Sequence, residues 1–323
     1  MKSFKHMNAR TVEEACALLG QYKGKALLHA GGTDLLSALK GEHLFDYPEA
    51  VINIKTIRGL DSIKEDGRAL KIGALVKLSD LVKSPVLKER YTVLAEAAYA
   101  VATPQVRNVA TLGGNLCQDV RCWYYRYPRH IGGPITCLRK GKGRCLAVSG
   151  DNRYHAIMEA KKCFAVCPSD LAVALAALDG QVRIAGLKGE RTIAVVDFFS
   201  SMENALERSE MVRGIEVPRI SGPVKQKFLK FTLRRPVDFA IVSVASVMAV
   251  KEGVCVDARV ALGAVAPGPA RAKKAEQFLK GRSIDEDTAA EAAEQAVLGA
   301  RPLSKNAYKI EITKSLVKRA LLS

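Results

Sequence analysis

Residues 107–118 read RNVATLGGNLCQ. A threonine, two adjacent glycines and an asparagine let the backbone turn tightly beneath a flat ligand, with Asn115 offering amide hydrogen bonds. A plain tight turn explains the same residues. Upstream, YTVLAEAAYAVA (91–102) predicts a helix buried over much of its surface, running into TPQVRNVATLGGN, which is expected as a polar, glycine-rich loop. A second glycine pair lies in HAGGTDLL (29–36), between a predicted strand, KALLHA, and a predicted helix, DLLSALKG. Glycines at a strand-to-helix turn allow close backbone approach, and helix-start N–H groups favour an anion such as pyrophosphate. Neither the spaced glycines of the dinucleotide fingerprint nor the P-loop lysine is present.

Around these loops the chain reads as α+β. TVEEACALLGQY (11–22) has helical spacing, with Thr11 and Glu14 as a capping box. AVINI is a strand, and ALKIGALVKLSDLVKSP reads as strand, turn and a helix capped near Ser79. PSDLAVALAALDG (168–180) is a helix starting near Ser169 or Asp170, followed by strands QVRIAG and ERTIAV. Past VPRISGP the runs KFLKFTLR, IVSVASVMAV and VCVDARVALGAV suggest an antiparallel sheet, and three helical segments follow. A domain boundary is expected near 217–223.

The 323 residues are 48% hydrophobic and 26% charged, an ordinary globular balance with no run long and apolar enough for a membrane helix. MKSFKHMNARTVEEACALLG lacks the pattern of a secretory signal, so a cytoplasmic protein is expected. The net charge of +17 admits nucleic acid, anionic membrane, acidic substrates or an acidic partner, and residues 121–162 are its local extreme. Eight cysteines are present; six of them (Cys117, Cys122, Cys137, Cys145, Cys163, Cys167) fall within 51 residues. In a reducing compartment such clustering points to metal or redox chemistry, while Cys16 and Cys255 read as small core residues.

Taken in order, HAGGTDLL, RNVATLGGNLCQ, PSDLAVALAALDG and KFTLRRPVDFAIVSVA resemble the flavin subunit of the molybdenum hydroxylases, the xanthine dehydrogenase and carbon monoxide dehydrogenase family. VALGAVAPGPARAKKAEQFLKG and the final helix with KRAL resemble that family's C-terminal domain, so the likeness spans the chain. It implies a two-lobed FAD-binding domain of PCMH type at 1–216 (lobes 1–56 and 57–216), then an α+β domain of the CO dehydrogenase flavoprotein type at 217–323. By position it implies that His29, Ala30, Gly31, Gly32, Thr33, Asp34 and Leu35 grip the FAD diphosphate. Val101, Thr111, Gly113, Gly114 and Asn115 would line the rest of the flavin. Asp170, with Ser169, would contact the ribityl or adenosine portion, and Lys230 would stand near the isoalloxazine, where a cation stabilises anionic reduced flavin. Arg234 and Asp238 read as a structural pair.

Between the glycine loop and the PSD helix this chain carries an extra segment, about 119–165, that holds the clustered cysteines. It resembles the insertion of the 4-hydroxybenzoyl-CoA reductase β subunit and its relatives, which carries a [4Fe–4S] cluster. That resemblance implies Cys122, Cys137, Cys145 and Cys163 as ligands, Cys163 being preferred to Cys167 by its distance from Asp170. Four thiolates and surrounding basic residues suit a cubane of net negative charge. The stretch from Cys145 to Cys163 is longer than in the reductase. Zinc is the rival, though its sites favour close cysteine pairs, and Cys163–Cys167 and Cys117–Cys122 are the only close spacings. A nucleic-acid finger would use the basic residues and Trp123, Tyr124, Tyr125 and Tyr127 but leaves the flavin motifs unexplained. Those aromatics are expected to shield the cluster; Cys117 is expected to be packed, and His130 and His155 to be surface or structural residues.

The resemblance implies an electron-transfer subunit with no catalytic acid, base or nucleophile of its own. Molybdopterin would sit on a large partner subunit and two [2Fe–2S] clusters on a small one, in a heterotrimer that dimerises. Electrons would pass to an external carrier such as ferredoxin or, in a purine- or aldehyde-oxidising alternative, to NAD. Neither nucleic acid nor membrane is an expected partner.

Overall fold

The computed structural model describes residues 1–323 apart from 45, 132–134 and 235–236. Its architecture is the mixed helix and sheet expected. The first lobe is a parallel sheet of β1 (Lys5–Asn8), β2 (Ala26–His29) and β3 (Ala50–Asn53) in the order β1-β3-β2. Parallel neighbours need crossovers, and α1 (Val12–Gln21) and α2 (Leu35–Gly41) lie in them. Thr11 caps α1 by accepting from the Glu14 N–H at 3.1 Å. The Glu14 carboxylate reaches back to the N–H of Arg10, one residue earlier than a standard capping box.

The second lobe is an antiparallel sheet of β4 (Ile63–Glu65), β5 (Ala69–Gly73), β6 (Gln181–Gly186), β7 (Gly189–Ala194) and β8 (Met211–Pro218), ordered β4-β5-β8-β6-β7. Between β5 and β6 the chain forms α3 (Leu78–Lys83), α4 (Pro85–Arg90), α5 (Thr92–Tyr99), α6 (Pro104–Arg107), α7 (Leu112–Cys117), α8 (Trp123–Arg126) and α9 (Asp170–Ala177). Two details differ from the sequence expectation. The cap of α3 is Lys77 rather than Ser79. The expected loop 103–115 contains two short helices, because Thr103 and Thr111 each cap one with a side-chain oxygen.

The last domain is the antiparallel sheet β9 (Lys225–Phe231), β10 (Val242–Lys251), β11 (Val254–Gly263) and β12 (Ala270–Arg271), covered by α10 (Lys273–Leu279), α11 (Glu286–Ala296) and α12 (Tyr308–Leu322). All eight residues of α9 are buried, which explains why DLAVALAA has almost no polar face. The helix lies between α5 and strands β10 and β11, so the second lobe and the last domain share one core. Truncating Leu171 or Leu175 there to alanine would cost about 2–5 kcal/mol. The segment between α8 and α9 is irregular, with two short 3-10 turns at 138–140 and 146–148. Among the described residues no helix is long and apolar enough to cross a membrane.

Candidate functional site

A cleft of ≈810 Å³ runs between the lobes and the last domain, within the range of small-molecule sites. One wall is the turn from β2 into α2. Gly31 packs directly against the second glycine segment: a Cβ there would stand 2.1 Å from the Val109 carbonyl oxygen. Gly32 has φ +73°, a left-handed conformation that side chains disfavour. The N–H groups of Gly31, Gly32 and Thr33 donate to no acceptor among the described residues. The other wall is residues 110–118, pinned to β5 and its extension by the Gly113 N–H to Ala74 oxygen bond of 2.8 Å and the Leu112 N–H to Val76 oxygen bond of 2.9 Å.

Ala30, Gly31, Gly32, Thr33, Asp34, Leu35, Val101, Thr111, Gly113, Gly114, Asn115, Asp170 and Lys230 all line this cleft. His29 and Ser169 do not. The His29 ring stands beside Gly32, and Ser169 works from behind: its hydroxyl caps α9 by accepting from the Ala172 N–H and donates to Asn115 Oδ1 at 2.6 Å. Lys230, on β9, extends its ammonium to Asp170 Oδ2 at 2.7 Å and to the Ala100 carbonyl at 2.9 Å. Burial raises the Asp170 pKa, and the Lys230 charge opposes that rise. Arg107, unremarked in the sequence, donates to the carbonyls of Val101 and Ala102 at 2.8 Å each and so fixes that edge of the cleft.

The Asp34 carboxylate is engaged by basic partners within the chain. It pairs with Arg121 at 2.9 Å and Arg126 at 2.7 Å and accepts from the Asp119 N–H at 2.8 Å, tying the cysteine-rich segment to the first glycine turn. Arg121 and Arg139 line the cleft, and the Nε of each is buried without a hydrogen-bond partner. Unpaired cationic donors and free backbone N–H groups around one cleft suit an anionic ligand, and FAD with its diphosphate fits them. Arg121 also lies over the Phe239 ring at 4.4 Å, and burial pushes its pKa down to about 10. Thus Arg121, Arg126 and Arg139 of the basic stretch are turned inward, while Lys142, Arg144, Lys161 and Lys162 remain exposed.

The cysteines divide into two groups. Cys122, Cys137 and Cys163 share a small apolar cluster with Val120, Tyr125 and Ala165. Cys145 is the neighbour of Cys163, and their interaction lowers the Cys163 pKa to about 5 against the opposing effect of burial and raises that of Cys145. Lys140 feels the sulfurs of Cys137 and Cys122, though burial lowers its pKa. Cys167 lies in the main core instead, its thiol pushed up to about 12 by burial, and Cys117, expected to be packed, is exposed in the wall of the larger cleft. Cys16 and Cys255 are buried core residues. Among the described residues no three His, Cys, Asp or Glu side chains are spaced as a preformed metal site. The donor set of four gathered thiols with adjacent basic groups nevertheless suits a thiolate-ligated, negatively charged centre. A second cavity of ≈420 Å³ reaches from Cys122 to the flavin cleft, sharing Arg121, Asp170 and Phe239 with it. Of the two histidines, His130 is exposed, while His155 is buried with its Nε2 3.3 Å from Cys122 Sγ, a contact the sequence gave no sign of. Arg234 and Asp238 form a bidentate surface pair.

Comparison with known proteins bears on this arrangement. Residues 2–220 match the model of the FAD binding domain in molybdopterin dehydrogenase, and residues 227–323 that of the CO dehydrogenase flavoprotein C-terminal domain. The aldehyde oxidoreductase FAD-binding subunit PaoB of Escherichia coli is 34% identical, over 97% of this chain and 96% of its own. The carbon monoxide dehydrogenase medium chain of Hydrogenophaga pseudoflava is 30% identical over 98% and 96%. A solved structure of carbon monoxide dehydrogenase from that organism superposes with a TM-score of 0.80 at 29% identity, covering 99% of this chain and 96% of the other. Quinoline 2-oxidoreductase from Pseudomonas putida 86 gives 0.77 at 26% identity, over 100% and 97%.

Proposed function

The chain belongs to the FAD-binding medium subunits of the molybdenum hydroxylase family, and we propose that it relays electrons through FAD and a [4Fe–4S] cluster to an external carrier. The reading is carried by one observation: Cys122, Cys137 and Cys163 of the inserted segment pack together, and Cys122 lines a cavity that shares residues with the flavin cleft. Bound FAD supplies the exchange between one- and two-electron transfer. A bound cluster supplies a one-electron step toward the protein surface. Substrate chemistry takes place on the partner that holds molybdenum, and a small subunit with [2Fe–2S] clusters completes a heterotrimer like that of carbon monoxide dehydrogenase. The protein is placed in the cytoplasm.

This chain's residues supply binding and orientation. The free N–H groups at Gly31–Thr33, with Arg121 and Arg139, hold the diphosphate. Thr111, Gly114 and Asn115 shape the cleft beneath the rest of the cofactor, and Lys230 keeps a cation at its buried end, paired with Asp170. Cys122, Cys137, Cys145 and Cys163 hold the cluster, with Cys167 outside it. The kinship with 4-hydroxybenzoyl-CoA reductase rests on the cysteine spacing alone. Exposed Lys142, Arg144, Lys161 and Lys162 favour an acidic carrier such as ferredoxin. The purified complex, reduced with substrate, should pass electrons to ferredoxin at a rate that falls with salt. Transfer to NAD instead, or a rate to ferredoxin indifferent to salt, would reject the carrier assignment.

A further inference from the structure

Deepening the cluster assignment, and resting on it, we propose that His155 donates its Nε2–H to the Cys122 sulfur and so raises the reduction potential of the centre held there. The ring nitrogen lies 3.3 Å from the sulfur, within reach of an N–H···S bond. Which way the bond runs follows from the other nitrogen. Nδ1 is buried with no partner among the described residues. A proton on Nδ1, in either the other tautomer or the doubly protonated ring, would be a buried donor with nothing to accept it, which costs more than an idle acceptor. A metal-bound Cys122 sulfur carries no proton to donate, so the bond forms only with the proton on Nε2, where the sulfur accepts it. That sulfur accepts best as a thiolate, the form a metal ligand takes.

The fold holds this ring from behind. The His155 N–H donates to the Asn152 carbonyl at 3.0 Å, and its own carbonyl accepts from Asn306 Nδ2 and Lys309 Nζ at 3.1 Å each. Asn152, Asn306 and Lys309 are all 0% exposed. Asn152 also accepts from the Lys305 N–H at 2.9 Å, so the approach to α12 clamps residues 152–155. On the sulfur side the ring meets Trp123 edge-on at 5.6 Å, which limits its rotation. Asn306 and Lys309 thus hold the His155 backbone, while the Asn152 side chain ties the same loop to the approach to α12.

A donor to a ligand sulfur withdraws charge and stabilises the reduced, more negative centre over the oxidised one. One electron arrives and the proton stays on Nε2. His155 is thus a positioning and tuning residue, and its effect is read as a potential. The test compares His155→Phe, which keeps a ring against Trp123 without the N–H, with His155→Gln, which restores a donor. EPR-monitored redox titration of the anaerobically purified complex should place the His155→Phe cluster lower by about a tenfold change in its redox equilibrium, ~59 mV for one electron. The flavin potential should not move, and His155→Gln should recover most of the shift. An unchanged cluster potential in His155→Phe with iron intact overturns the proposal. Should His155→Phe lose its iron, the wild type decides: with ¹⁵N-histidine, pulsed EPR of the reduced cluster should show a ¹⁵N coupling, and its absence overturns the proposal. A wild-type protein with flavin but no iron and no cluster signal refutes the cluster assignment itself.

Discussion

Replacing Lys230 with methionine tests the buried end of the flavin cleft. The Lys230 and Asp170 side chains are 9% and 5% exposed and meet at 2.7 Å, Lys230 from β9 of the last domain and Asp170 from the first turn of α9. Removing the ammonium leaves a carboxylate buried without its counter-ion, a change that costs about 3–5 kcal/mol while the acid stays ionised. Burial already raises the Asp170 pKa and Lys230 restrains it, so in Lys230→Met the folded-state value rises further above the unfolded one. A folded pKa raised in this way means that the folded state binds the proton more tightly. The variant is therefore nearest to wild type at low pH and falls behind as pH rises through the folded pKa. Urea unfolding at pH 5.5 and pH 8 should show a deficit that is larger at pH 8, and Lys230→Met/Asp170→Asn should regain most of it. A deficit below about 1 kcal/mol at pH 8, or one equal at both pH values, would refute the reasoning.

Three further substitutions probe the rest of the site. Gly31→Ala forces a methyl onto the Val109 carbonyl oxygen, separating the two glycine segments; with an overpacking cost of about 1–3 kcal/mol, FAD affinity measured by flavin fluorescence should fall roughly 5- to 150-fold. Cys137→Ser should abolish bound iron while FAD stays largely bound, whereas Cys167→Ser should retain both; iron and flavin assays on the two variants check this, and equal iron loss would bring Cys167 into the ligand set.

The outline of the fold was legible because periodicity carries it. The caps of α1 and α9, the apolar run of α9 and the strand runs after residue 220 stand where local pattern placed them. Segment 103–115 was misjudged because glycine and polar residues argue for loop, while two threonine caps, each worth about 1 kcal/mol, outweigh them over one helical turn. The glycine turns could be found by sequence since their conformation constrains the residue type. Partnerships that only the folded chain makes could not. Nothing local says that Asp34 is engaged by Arg121 and Arg126, that Arg107 holds the carbonyls beside Val101, or that His155 faces Cys122. Charge density alone does not reveal that Arg121, Arg126 and Arg139 turn inward. Their carboxylate and carbonyl partners come from other segments of the chain.

The most direct measurement is the cofactor content of the protein purified under nitrogen, with its absorption and EPR spectra. The protein should carry one FAD and about four iron per chain, with flavin bands over a broad iron–sulfur absorption and a cluster EPR signal on reduction. A colourless protein carrying a single zinc, or a yellow one with flavin and no iron, would contradict it.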